Sequence, residues 1–526
     1  MRLSELVQAG EVEETEGDLD RAVSGLAYDS RQVERDFVFF AVPGARADGH
    51  EFIGDALARG AAAVVVERRI ASQAEGAWIR VRSVRRAMGS WAARFYGYPS
   101  RRLALVGVTG TNGKTTVTYL LESIFRAAGM AAGVIGTVNY RYQDRALPAP
   151  HTTPESVDLQ RLLAEMAQAG VDNVAMEVSS HALELERVRA IDFDAAIFTN
   201  LTRDHLDFHA DMEHYFLSKS KFFTDYLPSS SKKKKSAVIH GGDPKGRELL
   251  QKIESLGLRS VSYGSGPEWD VHPVDVEGGL DGLGGKIEMG DRVVEFSSPL
   301  VGSVNLENIL AAAAAGFALG IGPEAIAAGI ARLATVPGRL EKVENRRGFS
   351  VLVDYAHTPD ALERALGLLK PLTRGKLIAV FGCGGDRDRG KRPLMGEAAA
   401  RLGDLVVLTS DNPRSEDPLK ILEDVEAGVK KTGIRRLSDS NSKSKIQSAT
   451  GHRTDASSGA NPKSERGYFV EPDRRAAIRL SLELARPGDL VLIAGKGHED
   501  YQILGAKKIH FDDREVAREE LQRLSS

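Results

Sequence analysis

Residues 103–116 read Leu-Ala-Leu-Val-Gly-Val-Thr-Gly-Thr-Asn-Gly-Lys-Thr-Thr. The apolar run at 103–108 predicts a buried strand. Val117, Leu120, Leu121 and Ile124 then recur at helical spacing before Gly129. A strand that passes through a glycine-rich turn into a helix builds an anion cradle. Its backbone N–H groups and the helix N-terminus face phosphate, the lysine reaches the terminal phosphates, and a threonine hydroxyl can hold Mg²⁺. Residues Gly110, Thr111, Asn112, Gly113, Lys114, Thr115 and Thr116 therefore form the candidate nucleotide site, with Lys114 catalytic. The strict GxxxxGK[ST] pattern needs glycine at position 108, where this chain carries Val108, so the loop is a shorter variant.

Working outward, 526 residues are too many for one core and predict about three domains. A hydrophobic content of 42% and a charged content of 27% are ordinary for a globular protein. The net charge of −3 gives no electrostatic case for nucleic acid or an anionic membrane. One cysteine, Cys383, excludes an internal disulfide framework and fits a reducing compartment. The opening Met-Arg-Leu-Ser-Glu-Leu lacks a signal-peptide core, and no run of about eighteen apolar residues appears. The expectation is a cytoplasmic, monomeric α/β protein without membrane insertion.

Three α/β units are expected, at residues 1–99, 100–334 and 335–526. The first is small, with strand-like runs at 38–42 and 62–66 around a helical stretch through Phe52 and Leu57. The second carries buried-strand patterns at 174–178 and 195–199, then glycine-rich hairpins between Trp269 and Val301 and an alanine-rich helix. Its sheet is predicted to be mostly parallel. The third, predicted Rossmann-like, repeats strand patterns at 351–354, 377–381, 405–409 and 490–494, each ending in glycine, proline or charge. Two tracts stand apart. Residues 229–235, Ser-Ser-Ser-Lys-Lys-Lys-Lys, read as a solvated loop. Residues 435–466 are nearly free of large apolar groups and read as a disordered insertion.

Ligands of open α/β sheets bind at the carboxyl ends of the strands. At one such end Glu177 precedes Ser179, Ser180 and His181, and a carboxylate beside a nucleotide site is a natural Mg²⁺ ligand. Thr199 to His209 packs Asp204, His205, Asp207 and His209 into another, where His205 could meet a second metal. In the third unit the ends carry Asp354-Tyr355-Ala356-His357, Gly384-Gly385-Asp386-Arg387-Asp388, Asp411-Asn412-Pro413-Arg414 and Gly495-Lys496-Gly497-His498-Glu499. Arginines suit carboxylates and acids suit an ammonium, so these ends could converge on a zwitterion.

Together these residues resemble the Mur ligase family, the ATP-dependent amide-forming enzymes of bacterial cell-wall synthesis. The resemblance runs through Asp29-Ser30-Arg31, Ala47-Asp48-Gly49-His50, the phosphate loop, His151-Thr152-Thr153-Pro154, Met176 to His181, Thr199 to Asp207, Asp354 to Pro359, Gly384 to Asp388, and Gly495 to Gln502. Asp411-Asn412-Pro413-Arg414 is similar to the motif of members that use meso-2,6-diaminopimelate.

The resemblance implies an acyl phosphate, made from ATP at the D-glutamyl γ-carboxylate of UDP-N-acetylmuramoyl-L-alanyl-D-glutamate and opened by the diaminopimelate amine. It implies two Mg²⁺ sites, on Thr115 and Glu177 and on His205 and Lys219, with Lys219 carrying a CO₂-derived carbamate. Asn308, Arg339 and Asp354 match positions that meet the nucleotide. Ser30, Ala45, Arg46 and Ala47 match the uridine side, while His151, Thr152, Thr153, Ser179 and Arg187 match the pyrophosphate and peptide end. Arg387, Asp411, Asn412, Pro413, Arg414, Gly495 and Glu499 match the amino-acid site. Leu185 and His151 depart from the Gln and Asn often found in the family. The alternatives are the same reaction with L-lysine, a ligase of the folylpolyglutamate synthetase type, and a nucleotide-gated regulatory protein.

Overall fold

The computed structural model of the chain describes every residue except 8–10, 45–46, 69–75, 207, 438–465 and 525–526. The tract read as an insertion, apart from its ends, and the candidate uridine contacts Ala45 and Arg46 lie outside the described residues.

Three sheets organise the molecule, each sandwiched by helices. The first has five strands in the order Val12–Glu16, Ala77–Val81, Ala63–Val66, Phe37–Phe40, Gly25–Ala27. Only the Val12–Glu16 edge is antiparallel. Trp91 and Met88 of helix Val84–Phe95 pack on one face, and Ile53 and Ala56 of helix Ile53–Ala58 on the other.

The central sheet has eleven strands. Its parallel core is Ser260–Tyr263, Ser236–His240, Ala195–Phe198, Ala104–Thr109, Asn173–Glu177 and Ala132–Ile135. Antiparallel hairpins extend both edges, the larger being Val271–Gly279, Gly282–Met289 and Arg292–Ser298. The strand Ala104–Thr109 sits in the middle, and its near-continuous apolar character follows from helices on both faces. Helices Lys114–Ala127, Ser303–Ala318 and Pro323–Arg332 cover one face, and Ser156–Gln168 and Pro244–Ser255 the other.

The third sheet has seven strands, parallel except for the Glu341–Lys342 edge. Its core order is Ser350–Asp354, Leu490–Ala494, Leu377–Phe381, Leu405–Leu408, Gly467–Val470. Helices Pro359–Leu372, Lys391–Leu402 and Pro418–Lys431 lie on one face, and Arg474–Leu484 and Asp513–Arg523 on the other. The sheets meet through specific contacts. Val301 joins the core of the third unit, and the Thr202 hydroxyl donates to Asp360 at 3.0 Å. Tyr28 donates to Asp158 at 2.6 Å, tying the first unit to the second.

The lysine-rich loop at 229–235 differs from its expected solvated state. Lys233 and Lys234 are exposed, but Lys232 donates to the Leu103 carbonyl at 2.7 Å and pairs with Asp194 at 3.2 Å. Lys235 donates to the carbonyls of Pro228 and Ser230. Two of the four lysines therefore satisfy carbonyls at the foot of the central sheet, a pairing set by tertiary structure.

The phosphate-loop helix is held by close packing. A Cβ on Gly329 would stand 2.4 Å from the Ile124 Cα. Gly329→Ala must push the two helices apart, so it should cost about 1–3 kcal/mol. Urea denaturation of the variant beside the wild type measures this.

Candidate active site

The phosphate loop leaves Ala104–Thr109 through Gly110 and Gly113, at φ +145° and +89°. Both positions require glycine for space as well as backbone. A Cβ on Gly110 would meet Thr199 Oγ1 at 1.9 Å, and one on Gly113 would meet Asn308 Oδ1 at 2.3 Å. Neighbouring strand ends fix the loop. Asn112 N–H donates to Asn200 Oδ1 at 3.0 Å, and Thr199 donates to the Asn112 carbonyl at 2.6 Å. Thr111 donates to the Thr202 carbonyl at 3.2 Å, and Thr116 is buried in the first helical turn.

Lys114 Nζ donates to the carbonyls of Gly110 and Thr111, both at 2.9 Å. Lys219 Nζ, only 1% exposed, donates to the same Gly110 carbonyl at 2.9 Å. Burial pushes the pKa of both amines down, that of Lys219 well down, and Lys114 lowers that of Lys219 further by like charge. The sequence places Lys219 on helix Met212–Lys221, where Tyr215 presents its ring 4.4 Å from the ammonium.

Glu177 is 1% exposed at the end of its strand. Its Oε1 accepts from Thr115 Oγ1 at 3.0 Å and from Thr137 N–H at 2.9 Å, and its Oε2 accepts from the Thr137 hydroxyl at 3.0 Å. The Thr115–Glu177 pair is an oxygen donor set beside the phosphate loop, the chemistry Mg²⁺ selects. His205 stands across the cavity at φ +54°, with Nε2 3.5 Å from Asp204 and its ring edge-to-face with His181.

These residues line a cavity of about 490 Å³ between the central and third sheets. His151, Thr152, Ser179 and Arg187 line its other end. Thr153 lies behind them, donating to the Glu177 carbonyl at 2.9 Å, while Arg187 reaches the Thr153 carbonyl and Glu155. The third unit supplies the facing wall. Arg339 donates to Thr115 Oγ1 at 3.3 Å, and Asp354 accepts from the N–H groups of Leu340 and Ala356. Burial raises the Asp354 pKa and Arg339 opposes the rise.

A second cluster adjoins this cavity. Tyr355 lines the cavity and its hydroxyl reaches Glu499 Oε1 at 3.5 Å. Asn412 donates to Glu499 Oε2 at 3.0 Å, and Arg414 donates to the Gly385 carbonyl at 2.8 Å. Asp411 and Pro413 are buried in the same turn, and Gly495, at φ +115°, passes close to Asp411. Burial raises the Glu499 pKa, reinforced by the charge of Asp411. Arg387 is exposed at the rim, with its stem near Gly384.

The structure thus brings together the candidate nucleotide, metal and amino-acid residues. Ser30 and Ala47 lie apart, in the first unit, Ser30 buried and Ala47 exposed. Several residues at the site carried no role in the sequence reading: Thr137, Asp204 as a cavity residue, Lys496, and the pair Arg474–Asp513. Arg474 is bound by Asp513 through two 2.7 Å hydrogen bonds, both side chains fully buried. It donates onward to the carbonyls of Ser410 and Ala494, the residues just before Asp411 and Gly495. In the sequence Arg474 looks no different from its exposed-face neighbour Arg475.

A phosphate loop facing a second α/β unit that presents arginines and acids suits an ATP-dependent ligase. The chain matches the models of the Mur ligase middle domain over residues 108–316, the Mur ligase glutamate ligase domain over 338–497 and the Mur ligase family catalytic domain over 22–96. It is 47% identical to the UDP-N-acetylmuramoyl-L-alanyl-D-glutamate–2,6-diaminopimelate ligase of Geobacter metallireducens, covering 100% of this chain and 99% of that one. A solved structure of a ligase with that same name is 31% identical, with a TM-score of 0.69 and coverage of 100% and 99%. MurF ligase from Thermotoga maritima in complex with ADP, 19% identical with a TM-score of 0.60 over 95% and 98%, shares the fold. The chain belongs to the Mur ligase family.

The Arg474–Asp513 pair yields a prediction. Asp513→Asn leaves a buried guanidinium without its counter-charge and should destabilise the third unit by about 3–5 kcal/mol. Hydrogen exchange on strands Leu490–Ala494 and Leu405–Leu408 reads the loss.

Proposed function

We propose that this chain joins meso-2,6-diaminopimelate to UDP-N-acetylmuramoyl-L-alanyl-D-glutamate with cleavage of ATP to ADP and phosphate, as a cytoplasmic monomer. The observation that carries this reading is Tyr355, which faces the phosphate-loop cavity and touches Glu499 of the acid–arginine cluster. In this reading nucleotide and amine lie on two sides of one residue. Such proximity is what transfer through a reactive acyl phosphate demands.

In this reading residues 1–99 hold the uridine through Ser30, Ala45, Arg46 and Ala47. Residues 100–334 bind ATP, and 335–526 bind the amino acid. His151, Thr152, Thr153, Ser179 and Arg187 grip the pyrophosphate and peptide end and bring the D-glutamyl γ-carboxylate to the phosphate loop. A carboxylate oxygen attacks the γ-phosphorus and ADP leaves. The uncharged amine of diaminopimelate then attacks the acyl carbon, and inorganic phosphate leaves as the amide forms.

Lys114 turns from its loop carbonyls to the β- and γ-phosphates, while Asn308, Arg339 and Asp354 orient the nucleotide. Thr115 and Glu177 would hold one Mg²⁺, and His205 with Lys219 a second. Bound Mg²⁺ neutralises charge on the phosphate oxygens. Lys219 is suited to carbamylation because burial favours its neutral amine, the form that adds to CO₂. Arg414 takes the distal carboxylate of diaminopimelate in a two-bond fork and Glu499 the distal ammonium, with Asn412 and Gly495 shaping the wall and Arg387 at the mouth.

Phosphate release in the presence of ATP, Mg²⁺ and the nucleotide substrate tests the reading, with meso-diaminopimelate and L-lysine in parallel. Turnover with diaminopimelate is expected. Turnover with lysine alone would retain the mechanism and overturn the amino acid. Arg414→Ala should raise the diaminopimelate KM about 30-fold or more while the ATP KM stays within about twofold, as loss of a partly buried charge pair costs about 2–5 kcal/mol. An equal rise in both would contradict the role given to Arg414. Lys219→Ala should lower kcat by about 100-fold or more and regain activity with added short carboxylic acids. No recovery would count against a carbamate.

A further inference from the structure

Lys496 is a buried cation outside the roles given so far. Its side chain is fully buried, and Nζ lies 3.6 Å from Asp411 Oδ1 and 3.6 Å from Glu499 Oε2. Among the described residues neither Lys496 Nζ nor Asp411 Oδ1 has a hydrogen-bond partner. The Tyr501 ring stands 5.4 Å away. A buried ammonium without hydrogen bonds is costly, and the two flanking carboxylates, with a smaller contribution from the Tyr501 ring, offset it. The acids cannot swing away to leave it, because Asn412 and Tyr355 hold Glu499 and Asp411 is buried.

The charges of this cluster balance. Counted at formal charge, Asp411 and Glu499 contribute two negative charges and Lys496 and Arg414 two positive ones, and the Arg474–Asp513 pair beneath them is neutral in itself. Arg387 and Lys508 are exposed and screened by water. A neutral low-dielectric site accepts a group that carries both an ammonium and a carboxylate without a change of net charge. A bare ammonium would leave it with an excess positive charge and Arg414 unmatched.

We propose that Lys496 is a specificity-determining residue: it neutralises one of the two acids, so that the amino-acid site favours a distal zwitterionic group over a distal ammonium alone. This rests on the diaminopimelate reading and adds the residue that sets its selectivity from the protein side. Without Lys496 the cluster carries one negative charge, which a bare ammonium restores to balance. Lys496 acts through charge and makes no covalent step.

The test compares kcat/KM for meso-diaminopimelate and for L-lysine in wild type, Lys496→Met and Lys496→Arg, with the ATP KM and thermal midpoint alongside. In Lys496→Met the diaminopimelate-to-lysine ratio should fall by about tenfold or more, while Lys496→Arg keeps it. If Lys496→Met does not fold, Lys496→Gln gives the same comparison. A ratio unchanged, with both amino acids losing activity by the same factor, would mean that Lys496 only supports the fold; that result, or a raised ratio, would overturn the inference alone. Wild-type turnover with lysine and none with diaminopimelate would overturn the underlying reading as well.

Discussion

The site is organised by one electrostatic constraint: two buried amines, Lys114 and Lys219, share the carbonyl of Gly110. Like charges this close in a low-dielectric setting repel, and burial disfavours both charged forms. The arrangement is resolved by anions. In the proposed reading phosphate oxygens would answer Lys114, and a carbamate on Lys219 would reverse its sign. The fold enforces the meeting. Position 110 must be glycine because Thr199 fills the space a side chain would need, and helix Met212–Lys221 brings Lys219 to its carbonyl.

Around that point the fold divides the chemistry. The central sheet fixes the phosphate loop through strand ends that bond one another, Glu177 to Thr115 and Thr137, and Asn112 to Asn200. The third sheet brings Arg339 and Tyr355 to the same cavity. Few polar contacts among the described residues cross the junction. The Thr202–Asp360 and Arg339–Thr115 hydrogen bonds are two of them, both at the nucleotide site. Bound nucleotide would therefore strengthen the contact between the units, and the amine and acyl phosphate could approach to within about 3–3.5 Å as they close.

Much of this was legible in the sequence because it is local. The strand–turn–helix at 103–127, the strands ending at Glu177 and Phe198 and the parallel cores of both large sheets all follow from apolar runs punctuated by glycine and charge. Candidate residues at strand ends converge because parallel sheets gather those ends on one edge. What the sequence hid depends on long-range pairing. Arg474 and Asp513 are 39 residues apart and resemble surface charges until packing joins them. Lys496 sits between two glycines in a motif whose candidate site residues are Gly495 and Glu499, and only the approach of Asp411 gives it meaning. Lys232 and Lys235 read as solvent-facing until carbonyls at the sheet's foot appear beside them.

The account turns on Lys219 existing as a neutral amine able to take up CO₂. The direct measurement is ¹³C NMR of the protein equilibrated with ¹³C-bicarbonate, for wild type and Lys219→Ala. A single carbamate resonance that vanishes in the variant is the predicted result. Fully active wild-type protein without such a resonance, or one that persists in Lys219→Ala, would contradict the account.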